Sequence, residues 1–234
     1  MDAFILAGGH GTRLGAAAGG RPKPLVEIVG HPLLAILTEK LLQAEIEHVY
    51  VNSHHLADQI ARFRDASLFR DQITILHEEE LLGTAGTIRK FLQSGARNEL
   101  LIMHGDNFFE DSLQKLLFSF RNRRADIYGV VGTFLSSHPE NCGIFEVNDD
   151  SVILRLHEKQ EPKFGNLANS AIYILDERAL AIIKNLPDEL NDLSRDVLPR
   201  LMGKIVAVPL EGFFIDIGSP QNLELARTLT TRDQ

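Results

Sequence analysis

The sequence predicts an α/β protein whose mixed, mostly parallel sheet is flanked by helices. Two observations predict it. Short apolar strands alternate with amphipathic stretches of helical length as far as about residue 135, which is how βαβ units read. The first strand also runs straight into a Gly-rich turn, "LAGGHGTRL" at 6–14. In a parallel sheet such a turn lies at the carboxyl edge, where ligands bind.

The elements follow in order. Residues 2–7 read as a strand. "HPLLAILTEKLLQAE" carries apolar residues at helical spacing, with Pro32 at a plausible first helical position. "HVYVN" is a strand, "LADQIARFR" a helix, "QITIL" a strand and "TAGTIRKFLQS" a helix. "ELLIMHGD" is a strand with a polar tip. "DSLQKLLFSFRNR" is a helix that Asp111 is placed to cap. "DIYGVVGTF" closes the regular part. Beyond it "GIFEV", "SVILRLHE" and "NSAIYIL" are strands on shorter connections. Helices are expected near 177–185 and 192–202, then the strands "KIVAVPL" and "FFIDI", and a closing helix from about Pro220. One continuous sheet is expected, with 136–234 as a substrate-side extension of 1–135.

Composition narrows the classes. The chain has 234 residues, 44% hydrophobic and 24% charged, enough to bury a full core without staples. A net charge of -8 argues against a nucleic-acid partner bound through phosphate neutralisation. The single cysteine, Cys142, has no internal disulfide partner, and a cytoplasmic location is expected. The start "MDAFILAGG" lacks the basic and long apolar character of a signal peptide. No stretch approaches 18 apolar residues, so no membrane span is expected.

Glycine costs more backbone entropy on folding than any other residue, so a run of it marks a sharp bend or a close approach. Gly9 and Gly11 begin a dinucleotide fingerprint, but Leu14 stands where its third glycine belongs. No G-K-[ST] of a P-loop occurs. The turn is either structural or a phosphate cradle of another kind. Arg13 ends it, and Lys23 follows in "RPKPL" between two stiffening prolines. Such cations suit a polyphosphate. Asp106 stands at the tip of a strand expected on the same edge. Asp216 alternates with Ile215 and Ile217, so it points away from their face. Asp106 reads as a turn residue or a metal ligand, and Asp216 as a salt-bridge partner or a metal ligand. Two carboxylates beside phosphates make a good Mg²⁺ site.

"LAGGHGTRL", "PKPL", "LGTAG" at 82–86, "GDN" at 105–107, "HEKQ" at 157–160, "NSAIYIL" at 169–175 and "FFIDIGSP" at 213–220 occur in this order over nearly the whole chain. Together they resemble the sugar-1-phosphate nucleotidyltransferases. The resemblance implies a Rossmann-like core of the glycosyltransferase-A type, forming a single domain over 1–234. It implies that backbone around Leu6, Ala7, Gly8 and Gly9, with Gly83, holds the base. Gly11, Thr12 and Arg13 would hold the triphosphate, and Lys23 would sit between the reacting phosphates. Asp106 and Asp216 would bind Mg²⁺. Gly143, Glu158 and Asn169 would contact the sugar, and Lys159 its phosphate. Arg13, Lys23 and Asp106 are thus the expected catalytic set. An NTP and a sugar-1-phosphate are the expected partners, for a monomer or homodimer.

Three departures bear on the sugar more than on the chemistry. Gly15 follows "TRL" where the family often has arginine, "EKQ" stands for "EKP", and Ala171 in "NSA" replaces a glycine. GTP is the expected nucleotide, with a heptose- or mannose-type sugar-1-phosphate, because Gly83 leaves no side chain to crowd a two-ring base where the similar uridylyltransferases tend to carry glutamate; UTP is the alternative. "LGTAG" and "FFIDIGSP" resemble heptose- and mannose-1-phosphate guanylyltransferases, while "NSHHLADQI" resembles N-acetylmuramate-1-phosphate uridylyltransferases. A regulatory subunit on the same fold is the alternative of another class; it would be expected to lose Arg13, Lys23, Asp106 or Asp216, and all four are present. His54-His55 reads as structure or surface, His104 as packing, "EEE" at 78–80 as a solvated loop, and "RNRR" at 121–124 as a solvated helix end.

Overall fold

A computed structural model describes residues 1–158 and 164–230. The strands and helices in chain order begin with β1 (Asp2–Leu6), β2 (Glu27–Ile28), β3 (His31–Pro32), α1 (Leu33–Gln43), β4 (His48–Ser53), α2 (Ala57–Ala66) and β5 (Ile73–His77). Next come α3 (Gly83–Gln93), β6 (Glu99–His104), β7 (Asn107–Phe109), α4 (Gln114–Arg121) and β8 (Gly129–Leu135). The rest are β9 (Gly143–Val147), β10 (Ile153–Glu158), β11 (Leu167–Asp176), α5 (Glu177–Lys184), β12 (Ile205–Pro209), β13 (Phe214–Asp216) and α6 (Pro220–Thr230). The chain divides into two compact units. The first is Met1–Leu81 with Met103–Ser112 and Gly212–Gln234, and the second is Leu82–Ile102 with Leu113–Glu211.

In the first unit β4 pairs in parallel with β1, Ile5 opposite Val51, and with β5, Val51 opposite Ile75. Ala3, Phe4, Ile5, Val49 and Val51 are fully buried, as parallel strands covered on both faces must be. Helix α1 buries Leu33, Leu34, Leu37 and Leu41, the stripe that the helical spacing predicts. A short antiparallel ladder joins β7 to β13, pairing Phe109 with Phe214, Phe108 with Ile215 and Asn107 with Asp216.

In the second unit β8 is the hub. It pairs antiparallel with β11 and parallel with β12, while β9 joins β11 and β10 joins β9, both antiparallel. The fold class is the expected one, a mixed sheet flanked by helices. Two helices differ from expectation. The one expected from 111 begins at Gln114, and the Asp111 carboxylate instead accepts the N–H of Ser112 at 2.7 Å. The one expected over 192–202 is a π turn, Leu193–Val197, followed by a 3₁₀ turn, Leu198–Leu201. Pro199 lies within it and has no N–H for a regular helix.

Strand β11 carries an irregularity between Asn169 and Tyr173. Ala171 sits inside it at φ 55°, a left-handed conformation that costs an L-residue roughly 1–2 kcal/mol. Ala171→Gly is therefore expected to raise the unfolding free energy by up to ~1 kcal/mol, after glycine's own entropy cost. A urea midpoint measures it, and a lowered midpoint would contradict the strain. Among the described residues no helix is long and apolar enough to cross a membrane.

Candidate active site

The carboxyl ends of β1, β4, β5 and β6 deliver their following residues to one region of the first unit. The Gly-rich turn leaves β1 there. Gly105 N–H donates to Leu6 O at 2.9 Å, which ties the tip of β6 to the start of the turn. Behind the turn, Ala7 N–H donates to Asn52 Oδ1 at 2.7 Å. Asn52 Nδ2 in turn donates to Glu78 Oε2 at 3.2 Å. A Cβ on Gly8 would lie 2.6 Å from Asn52 Nδ2, so glycine is needed there for the turn to lie on this amide. Asn52 and Glu78 form a polar cluster that motif reading missed. Glu78 is only 4% exposed, which corrects the reading of 78–80 as wholly solvated; Glu79 and Glu80 are exposed.

Beyond the turn, Thr12–Ala18 form 3₁₀ turns entered through Gly11 in the left-handed region. Arg13 is exposed. Lys23 opens a 3₁₀ turn between buried Pro22 and Pro24. That stiff segment holds its Nζ 2.7 Å from Asp106 Oδ2, to which it donates. The β7–β13 ladder brings the second carboxylate in. Ile217 N–H donates to Asp106 O at 2.9 Å, and Asp216 Oδ1 accepts the N–H of Gly218 at 2.5 Å. Arg13 Nη2 would lie 3.3 Å from a Cβ placed on Gly218, so the guanidinium reaches the same corner.

The two carboxyls are pushed in opposite directions. Burial raises Asp106, but the charges of Lys23 and His104 and the hydrogen bonds it accepts outweigh burial, and its pKa is lowered. Burial raises Asp216, the neighbouring Asp106 charge raises it further, and Lys23, Gly218 N–H and Arg13 offset only part. Two close carboxylates of which one resists ionisation are the condition a cation relieves. The donor set is hard oxygen, which suits Mg²⁺. Among the described residues no group of three or more His, Cys, Asp or Glu could hold a metal ion. A cation here would complete its shell with water and substrate oxygen, as Mg²⁺ ordinarily does.

The second unit gathers the residues expected on the sugar side. Glu158 pairs with Gly143 across β9–β10. A Cβ on Gly143 would lie 3.1 Å from Glu158 Oε1. Asn169 Nδ2 donates to Tyr173 Oη at 2.9 Å, and its Oδ1 accepts Ala171 N–H at 2.9 Å. The buried Tyr173 hydroxyl is pushed up to about 12, by burial first and with Glu158 among the charges acting on it. Gly143, Glu158 and Asn169 thus come together; Lys159 lies outside the described residues. Gly83 belongs to the second unit, at φ 74°, and a Cβ there would lie 2.5 Å from Asn191 O. Glycine at this position is explained by that carbonyl, so room for a large base no longer follows from it.

A family model described as "Nucleotidyl transferase" matches residues 2–232. The chain is 32% identical over 231 residues to "Bifunctional protein GlmU" of Methanococcus maripaludis, covering 94% of this chain and 52% of that protein. It is 30% identical over 233 residues to "Mannose-1-phosphate guanylyltransferase catalytic subunit beta" of Xenopus tropicalis, covering 95% and 62%. The chain spans about half the length of the first of these relatives. Among solved structures, HddC from Yersinia pseudotuberculosis complexed with GMP-PN matches with a TM-score of 0.80 at 27% identity, covering 98% of this chain and 99% of that one.

Proposed function

This chain belongs to the nucleotidyl transferase family, and from that membership we propose that it transfers a nucleotidyl group from an NTP to a sugar-1-phosphate. A phosphate oxygen of the sugar-1-phosphate attacks the α-phosphorus. The bond from that phosphorus to the β-phosphate bridging oxygen breaks in line, and pyrophosphate leaves with the electron pair. The nucleophile is already anionic, so the protein has to position and neutralise rather than supply a base.

The observation that carries this reading is the Lys23–Asp106 contact of 2.7 Å with Asp216 beside it, at the end of a Gly-rich turn. Arg13 meets the triphosphate with Gly11 and Thr12, and Lys23 lies where charge grows between the reacting phosphates. Asp106 and Asp216 would hold Mg²⁺, which would supply charge neutralisation at the phosphoryl oxygens. Leu6, Ala7, Gly8 and Gly9, with Gly83, face the base; Gly143, Glu158, Asn169 and Lys159 serve the sugar-1-phosphate.

GTP is the proposed nucleotide, with a heptose- or mannose-type sugar. Two likenesses support it: a relative named as a mannose-1-phosphate guanylyltransferase and a structural neighbour complexed with GMP-PN. The buried Glu78 carboxylate adds a physical reason. A carboxylate only accepts hydrogen bonds. Guanine offers it two adjacent donors, N1–H and the 2-amino group, whereas uracil flanks its one donor with two carbonyls. The expected result is a kcat/KM at least tenfold higher for GTP than for UTP with one sugar-1-phosphate. Glu78→Gln is expected to cost GTP roughly 10- to 100-fold, the worth of a hydrogen bond to a charged group. Pyrophosphate release across four NTPs and a panel of sugar-1-phosphates measures both. A tenfold UTP preference would replace this reading with the muramate-type uridylyltransferase, and no release with any pair would overturn the transferase itself.

A further inference from the structure

Three imidazoles from two distant parts of the sequence meet at the Gly-rich turn. His10 lies within the turn, between Gly9 and Gly11. Its ring centroid is 5.4 Å from that of His54 and 5.7 Å from that of His55. The latter two follow β4. Among the described residues they form no metal-holding group, and none of the roles given above uses them.

His54 is held in one form. Its Nδ1 lies 2.9 Å from Glu78 O. A carbonyl oxygen only accepts, so Nδ1 carries a hydrogen and the neutral ring has a bare lone pair at Nε2. That lone pair repels an anionic oxygen. Only the protonated ring presents an N–H to it. His10 and His55 are exposed, and His54 is half-buried. Imidazole is the side chain whose charge ordinarily changes near neutral pH. Charged residues on the elements that carry or meet these rings are Arg13 on the same turn, Asp58 in the first turn of α2, and Glu78, whose backbone oxygen meets His54, with Glu79 and Glu80 after it. One oxygen of the Glu78 carboxylate, Oε2, accepts from Asn52 Nδ2.

We infer that His10, His54 and His55 form a proton-accepting pocket for the terminal phosphates of the nucleotide and for the departing pyrophosphate. This rests on the reading of the Gly-rich turn as the triphosphate cradle. Binding a polyphosphate there draws protons from solvent onto the imidazoles. Nucleotide affinity therefore rises as pH falls through neutrality, and pyrophosphate leaves more readily as pH rises.

Calorimetric titration near neutral pH, in two buffers of different ionisation enthalpy, counts the protons taken up. GTP, UTP and GMP are the probes, against the wild-type chain and His10→Gln/His55→Gln. Both substituted positions are exposed, so the fold is little affected. The nucleotide's own protons cancel between the two proteins. The expected result is an excess uptake of about half a proton or more by the wild type for the triphosphate it binds. The variant binds that triphosphate about tenfold more weakly, a loss of 1.4 kcal/mol. GMP, which lacks terminal phosphates, shows neither difference. Equal proton counts in the two proteins, with the triphosphate bound, overturn the pocket and leave the transferase reading standing. A wild-type chain that binds neither GTP nor UTP overturns both.

Discussion

Asp106→Asn is expected to lower the kcat of nucleotide-sugar formation by roughly 10²-fold or more, the scale for losing a key electrostatic group. Asp216→Asn is expected to do the same. Asparagine keeps the shape and one oxygen of the carboxylate but removes its charge. At Asp106 the loss is double, because the Lys23 ammonium 2.7 Å away is left without its counter-charge. At Asp216 the loss falls on the carboxyl whose pKa burial and the neighbouring Asp106 charge both raise. Both side chains serve one proposed cation, so the double variant should be little worse than the poorer single one. Steady-state rates at rising Mg²⁺, with a melting curve for each variant, make the measurement. Partial recovery at high Mg²⁺ supports the ligand role. Full activity of both single variants, or of the wild type in EDTA, would remove the metal from the scheme.

Lys23→Ala is expected to be equally damaging, and mainly in kcat. An ammonium between the reacting phosphates gains most of its interaction as charge develops in the transition state. Arg13→Ala should behave alike, to a lesser degree because that side chain is exposed. Lys23 also has a second effect. It is the largest influence holding Asp106 down against burial, so without it the Asp106 carboxyl titrates at higher pH. The acid limb of the pH–rate profile should accordingly move upward in Lys23→Ala. If either variant changed only the KM for the sugar-1-phosphate, its proposed place on the nucleotide would be wrong.

The parallel part of the fold was legible because each of its elements is long enough to show a period. The stripe of Leu33, Leu37 and Leu41 on α1 is an example. Arg13, Lys23, Asp106 and Asp216 stood out because each lies in a compact motif: Asp106 and Asp216 at strand ends, Arg13 in the Gly-rich turn and Lys23 between two prolines. The β7–β13 ladder was not: strands of three residues carry no period, and their pairing is set by tertiary contact. Glu78 was hidden in a run of three glutamates, and composition cannot tell which of them turns inward to Asn52. The meeting of His10 with His54 and His55 depends on the parallel register that places Ile5 beside Val51, a long-range fact. Gly83 shows the opposite failure: the residue was noticed, but the atom that explains it, Asn191 O, lies far along the chain.

The β7–β13 ladder has a consequence for how the chain comes to be active. Phe213 N–H donates to Glu110 Oε2 across 103 residues, and Asp216 sits at the end of the same pairing. A polypeptide still emerging from the ribosome can build β1, β4 and β5 and set Lys23 on Asp106 before residues 212–234 exist. It has only one of the two carboxylates until they do. Closing so long a loop costs chain entropy that is recovered only when the ladder forms. The second carboxylate is therefore a late arrival in biosynthesis, and half-made chains carry the Gly-rich turn with Lys23 and Asp106 but without Asp216.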